Sequence, residues 1–160
     1  LLSLTAAITV VGAARAAVRH FQDYLKSRRI HMSAGGGSVA ERPAAQIRLG
    51  RGDVQVKTAE KLIRDTAKQI MRIARSGKRA TPEERMYLRA QNAYAVELCL
   101  GALRVMIAGA GAGAHNLGNP LQRTLRDITV AAGHVTFDMD LALEQHARLL
   151  LGLDTTSGLN

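Results

Sequence analysis

Apolar positions recur every three to four residues over long stretches of this chain, the period of one face of an α-helix. Residues 2–30 are small and apolar up to Val18, then carry a stripe through Phe21, Tyr24 and Leu25. They close on the basic "KSRR", which suits a helix C-terminus. "HMSAGGGSVAERP" predicts a flexible loop, because its three glycines hold helix poorly. A second helix is expected over 43–76, with Val56, Leu62 or Ile63, Ile70 and Ile73 in period and Lys and Arg on the other face. The third has the clearest start: in "TPEE", Thr81 caps, Pro82 takes the first turn and Glu84 completes a capping box. It runs to about Gly109. After "AGAGAHNLGN", Asn119 and Pro120 open a fourth helix that continues to Leu151 with a bend near Gly133. No stretch alternates as a strand and no repeat appears. The pattern predicts an all-α, antiparallel up-down four-helix bundle. Helices of about 30 residues run roughly 45 Å at 1.5 Å per residue, long enough to pack against other domains or subunits.

Composition supports helix and sharpens the boundaries. At 160 residues the chain is of single-domain length. Trp is absent, aromatics are 3%, and Ala and Leu, which lose little freedom in a helix, dominate. The three prolines, Pro43, Pro82 and Pro120, all fit helix starts. A domain is expected over 1–152 and a polar, frayed tail over 153–160.

Charge is uneven. Residues 1–80 carry 16 Lys/Arg against 5 Asp/Glu, whereas residues 81–160 carry 6 against 8. A basic half suits phosphate-bearing ligands, nucleic acid or a solvated face. Only Phe21 and Tyr24 lie among these cations to stack a base, so no nucleic-acid partner is expected. The single cysteine, Cys99, sits in the apolar run "ELCLGALRV"; it reads as a small buried hydrophobe in a reducing, cytoplasmic compartment. The leading apolar run breaks at Arg15, short of the roughly 20 residues that span a bilayer. It also lacks a basic segment ahead of it, so neither a signal peptide nor a membrane partner is expected. The chain opens inside a helical pattern without Met, and is expected to be part of something longer.

Chemistry is sparse. No P-loop, GxSxG or HExxH occurs, and "GAGAGA" follows a helix rather than a strand, which argues against a dinucleotide-binding βαβ unit. His20, His31, His115, His134 and His146 show no ligand spacing, so no metal is expected. His146 reads as a solvated residue on the polar side of the last helix. His134, in "LRDITVAAGHVTFDMD", lies in a small apolar setting, where an imidazole serves either packing or chemistry.

The order of these segments resembles the C-terminal four-helix domain of the acyl-CoA dehydrogenase superfamily. The first helix, "GAARAAVRHFQDYLKSRR", places Gly12, Tyr24 and Arg28 where that family keeps a Gly, a Tyr and an Arg. The resemblance implies that Arg28 reaches a flavin phosphate, often across a subunit interface. The family's following Phe-Gly is missing from "RRIHMSAGGG", which leaves Arg29 as a substitute. "AGAGAHNLGNPLQRTLRD" is similar to the family's glycine turn, Pro and Arg-Asp, with Gly111 and Gly113 in the turn and Arg126-Asp127 following Pro120. Those glycines let backbone N–H groups approach a flavin, or simply make a tight connection between helices.

The dehydrogenases keep a catalytic glutamate after the Arg-Asp. Here no carboxylate lies between Asp127 and Asp138, and His134 occupies that stretch. A histidine there resembles the flavin-dependent monooxygenase branch, the two-component hydroxylases of the 4-hydroxyphenylacetate type. The resemblance implies a catalytic His134 beside a flavin hydroperoxide, taking a phenolic proton or donating a hydrogen bond. It further implies reduced FMN or FAD as cofactor, a separate flavin reductase, an aromatic or similar small substrate, and a homo-tetramer. The remaining domains of such a flavoenzyme would be needed, and the fragment alone would be inactive. The alternatives are an acyl-CoA dehydrogenase domain with its base elsewhere, and a non-catalytic helical bundle used for assembly.

Overall fold

The computed structural model describes residues 2–29 and 37–156. Five α-helices form four antiparallel rods: α1 (Leu2–Ser27), α2 (Pro43–Arg75), α3 (Pro82–Ala110), and a fourth rod made of α4 (Pro120–Ala132) and α5 (Met139–Leu150). The glycine loop predicted after α1 lies largely outside the described residues. Where the chain is described again, Val39 donates its N–H to Arg28 O at 3.0 Å, Arg29 bridges Ser38, and a short 3-10 turn, Val39–Glu41, leads into α2.

Local chemistry explains the boundaries. Pro43, Pro82 and Pro120 each sit in the first turn of a helix, where the missing N–H costs nothing. Thr81 Oγ1 accepts from Glu84 N at 3.2 Å while Glu84 Oε2 accepts from Thr81 N at 2.9 Å, the reciprocal capping box. Asn119 Oδ1 accepts from Leu121 N at 2.9 Å and starts α4.

Packing is ordered around α3, which buries a broad face from Met86 to Ala110 and leaves Tyr87 and Tyr94 exposed. α1 lays down a stripe of Leu4, Ala7, Val10, Val11, Ala14, Ala17, Phe21 and Leu25. Its alanines let the helix axes approach closely. α2 contributes only a narrow seam, with Gly52, Val56, Ala59, Ile63 and Thr66 buried, a spacing that keeps one edge facing its neighbour. Gly52 leaves room there for Met106, whose Cγ would lie 3.0 Å from an added Cβ. Asn92 Nδ2 donates to Ser3 Oγ at 3.0 Å, and Tyr24 Oη donates to Ala110 O at 2.5 Å. These bonds place the same ends of α1 and α3 together, so the two run parallel, with α2 antiparallel to both. Glu60 ties α2 to α1 through Arg15 at 3.0 Å. By length and composition α1 and α3 could each cross a membrane, contrary to the expectation drawn from Arg15. α3, however, is the centre of the bundle, and the buried stripe of α1 faces its neighbours.

Three expectations need correction. The fourth helix does not run unbroken to Leu151: α4 stops at Ala132, a 3-10 turn (Val135–Phe137) follows, and α5 starts afresh. The cause is local. His134 is extended (φ −75°, ψ 138°), Phe137 is drawn into the core, and Asp138 caps α5 by accepting from Leu141 N at 2.9 Å. The tail does not fray as far as it is described. Thr156 N donates to Gln145 Oε1 at 2.8 Å, Gln145 Nε2 donates to Thr156 Oγ1 at 3.0 Å, and Arg148 Nε donates to Asp154 O at 2.7 Å. Gln145 is fully buried and takes its partners from that tail. His146 is half-buried rather than solvated, its ring 5.3 Å from that of Tyr87.

Candidate flavin-facing site

The sequence-predicted residues fall at two places along the bundle. At one end, α1 and α3 stop side by side. Phe21 and Tyr24 stack with ring centroids 6.4 Å apart, Tyr24 fastens the last carbonyl of α3, and the Arg28 guanidinium lies 5.6 Å above the Tyr24 ring, a cation–π contact. Arg28 and Arg29 are exposed, and neither forms an ion pair among the described residues. Beside them, Gly111 has φ +73°, a conformation that side-chain-bearing residues rarely adopt. A 3-10 turn, Ala112–His115, follows, anchored by the buried Ala114. Gly113 differs from Gly111. Its φ is not positive, and an added Cβ would meet nothing within 4 Å. Nothing described in this chain demands glycine there.

Sequence reasoning missed a third cation at this end. Arg48 on α2 lies over Gly109, where an added Cβ would come within 2.6 Å of Arg48 Cδ and 3.2 Å of Phe21 Cζ. No motif signals it, because the contact joins residues far apart in the chain. Unpaired guanidinium groups beside bare glycine backbone suit a phosphate-bearing group. The donor set therefore fits the phosphate portion of a flavin nucleotide.

About midway along α3 stands His134, on the turn between α4 and α5, where Gly133, Phe137 and Asp138 lie by Ala93, Val96 and Leu100. It is exposed and not within a helix, which corrects the small apolar setting expected for it. Its Nδ1 accepts from Thr136 N at 3.2 Å. The neutral ring consequently carries its proton on Nε2, the nitrogen free to meet a ligand. The turn is held from below, where Arg89 Nη2 donates to Val135 O at 3.0 Å and Phe137 is buried. Arg126 and Asp127 are exposed and do not pair with each other; Asp127 lies 3.8 Å from Arg123 instead. Gly12 is exposed as well. The 13 residues of α4 separate the glycine turn from His134, about 20 Å at 1.5 Å per residue. The fold thus sets Arg28 and Gly111 at the shared end of α1 and α3 and keeps His134 apart from them. Among the described residues no cluster of three His, Cys, Asp or Glu side chains is placed to hold a metal ion.

Residues 4–139 match the model of the acyl-CoA dehydrogenase C-terminal domain. The chain belongs to that family. Within the acyl-CoA dehydrogenase C-terminal domain family it is 31% identical over 150 residues to the pigment production hydroxylase of a Rhodococcus species, covering 94% of this chain and 38% of that protein. It is 30% identical over 154 residues to the FADH(2)-dependent resorcinol hydroxylase, oxygenase component, of a Rhizobium species, covering 92% and 38%. Among solved structures, XiaF from Streptomyces sp. in complex with FADH2 and glycerol superposes with a TM-score of 0.89 at 25% identity, covering 97% of this chain and 39% of that one. The chain thus spans well under half the length of the relatives it matches.

Proposed function

We propose that this chain is the C-terminal helical domain of a reduced-flavin-dependent monooxygenase that hydroxylates an aromatic or similar small molecule. The observation that carries the reading is His134: an exposed imidazole on a braced turn, its Nδ1 already engaged by the Thr136 amide. The hydroxylase names of the relatives support it.

Reduced flavin, when bound, supplies the electrons and the site of dioxygen activation. Arg28, Arg29 and the backbone at Gly111 and Gly113 hold its phosphate-bearing portion. The flavin would be FMN or FAD, in a homo-tetramer. His134 donates a hydrogen bond from Nε2 to the reacting oxygen. Taking a phenolic proton instead would require releasing the Thr136 amide, so the geometry favours the donor role. A separate reductase delivers the reduced flavin, in the cytoplasm.

The dehydrogenase alternative finds no free carboxylate base at this turn and would need one elsewhere in the protein. Asp127 is exposed on α4, and Asp138 is spent on the Leu141 amide. The test is His134→Ala in the full-length protein. Release of hydrogen peroxide in place of hydroxylated product is expected, and unchanged hydroxylation with normal coupling would leave His134 as a structural residue only.

A further inference from the structure

Between the start of α1, the end of α2 and the start of α3 lies a groove of about 470 Å³, within the range of small-molecule sites, roughly 300–1,000 Å³. Its wall is largely apolar, with Ile70, Ile73, Met86 and Leu88 prominent. Two polar side chains in that wall are incompletely satisfied. Arg89 gives Nη2 to Val135 O, but its Nη1 is buried without a hydrogen-bond partner. Asn92 is 1% exposed; it gives Nδ2 to Ser3 Oγ, and its Oδ1 is likewise buried and unpartnered. Folded proteins leave few such atoms without a partner; both are closed to solvent, so a ligand in the groove meets them only as the Arg89 and Asn92 side chains turn toward it. Arg85 lines the same groove and no Asp or Glu does. The wall therefore carries two guanidinium groups and no counter-charge.

We propose that this groove binds a small amphiphilic monoanion, an aliphatic or aromatic carboxylate. Its carboxylate meets Arg89, which supplies charge and paired donors suited to carboxylate geometry. Its apolar body lies on Ile70, Ile73, Met86 and Leu88. Asn92 Oδ1 accepts from a hydroxyl on ligands that carry one. Thr136 also lines the groove, and its N–H is the one held by His134 Nδ1. The ligand thus sits behind the turn that presents His134. The site stands on the groove alone and does not depend on the flavin reading.

The test is calorimetric titration of the full-length protein, without flavin, with nonanoate and with nonan-1-ol as its uncharged counterpart. Nonanoate should bind at least tenfold more tightly than the alcohol. Arg89→Gln should erase that difference, Arg89→Lys should retain part of it, and Ile73→Trp should fill the groove and abolish binding of both. If Arg89→Gln fails to fold, the Arg89→Lys and Ile73→Trp results decide. Equal binding of acid and alcohol, or a preference that survives Arg89→Gln, would overturn the proposal. So would absence of binding, the result if another part of the protein or a partner chain fills the groove.

Discussion

At one end of the bundle, Tyr24, Arg28 and Gly111 meet where two helices stop. Partway along α3, Arg89 and Phe137 brace the turn between α4 and α5. The first region is made of helix termini, glycine backbone and unpaired cations, all fixed by a deeply buried Phe21 beneath them. The second presents one side chain, His134, and spends the surrounding groups on holding its turn in place. Binding a polyanion calls for several donors of modest individual accuracy. Directing one hydrogen bond calls for a single group whose position is over-determined. The same four rods supply both.

This contrast can be broken by substitution. Phe21→Ala removes a fully buried ring under the cationic end and should cost about 3–5 kcal/mol, read from the midpoint of urea unfolding. Gly111→Ala places a side chain at φ +73° and should cost of order 1–3 kcal/mol by the same measurement. Gly113→Ala, with nothing within 4 Å of the new methyl and no positive φ, should leave stability unchanged and weaken flavin binding in the full-length protein. Equal losses of stability at both glycines would erase the distinction between them. Tyr24→Phe strips the partner from Ala110 O and should cost about 1 kcal/mol.

The smallest effect lies in the core. Burial pushes the Cys99 thiol from its ordinary 9.0 up to about 12. The unfolded chain ionises first, so the contribution of Cys99 to stability is complete below pH 9.0 and is lost as pH rises toward 12. The stability difference between wild type and Cys99→Ala should be flat below pH 9.0 and shift against the wild type above it, as followed by thermal unfolding.

What the sequence disclosed depended on how local each cause is. The Thr81 box, the Asn119 cap and the three proline starts involve neighbours within one turn, and each appears where the pattern placed it. The break after Ala132 was harder to see. A lone glycine costs a helix only about 1 kcal/mol, and the apolar period runs straight through it. What decides the break is the burial of Phe137 and the Asp138 cap, a tertiary contact and a signal masked by the helical residues around it. His146 was misplaced for a related reason: α5 is a new helix with its own phase, so a wheel drawn from Pro120 turns the wrong face to solvent. Arg28, Arg29, Gly111 and Gly113 were picked out by a family resemblance, and of these Arg28 and Gly111 lie at the shared end of α1 and α3. Arg48 and Arg89 carry no motif, since each matters through a residue far away in the chain.

The pairing of Gln145 with Thr156 has a practical side. A chain shortened ahead of Thr156 takes two hydrogen bonds from a buried carboxamide at the middle of α5. The segment through Thr156 works as a fastener rather than a loose thread, and fusions belong beyond it.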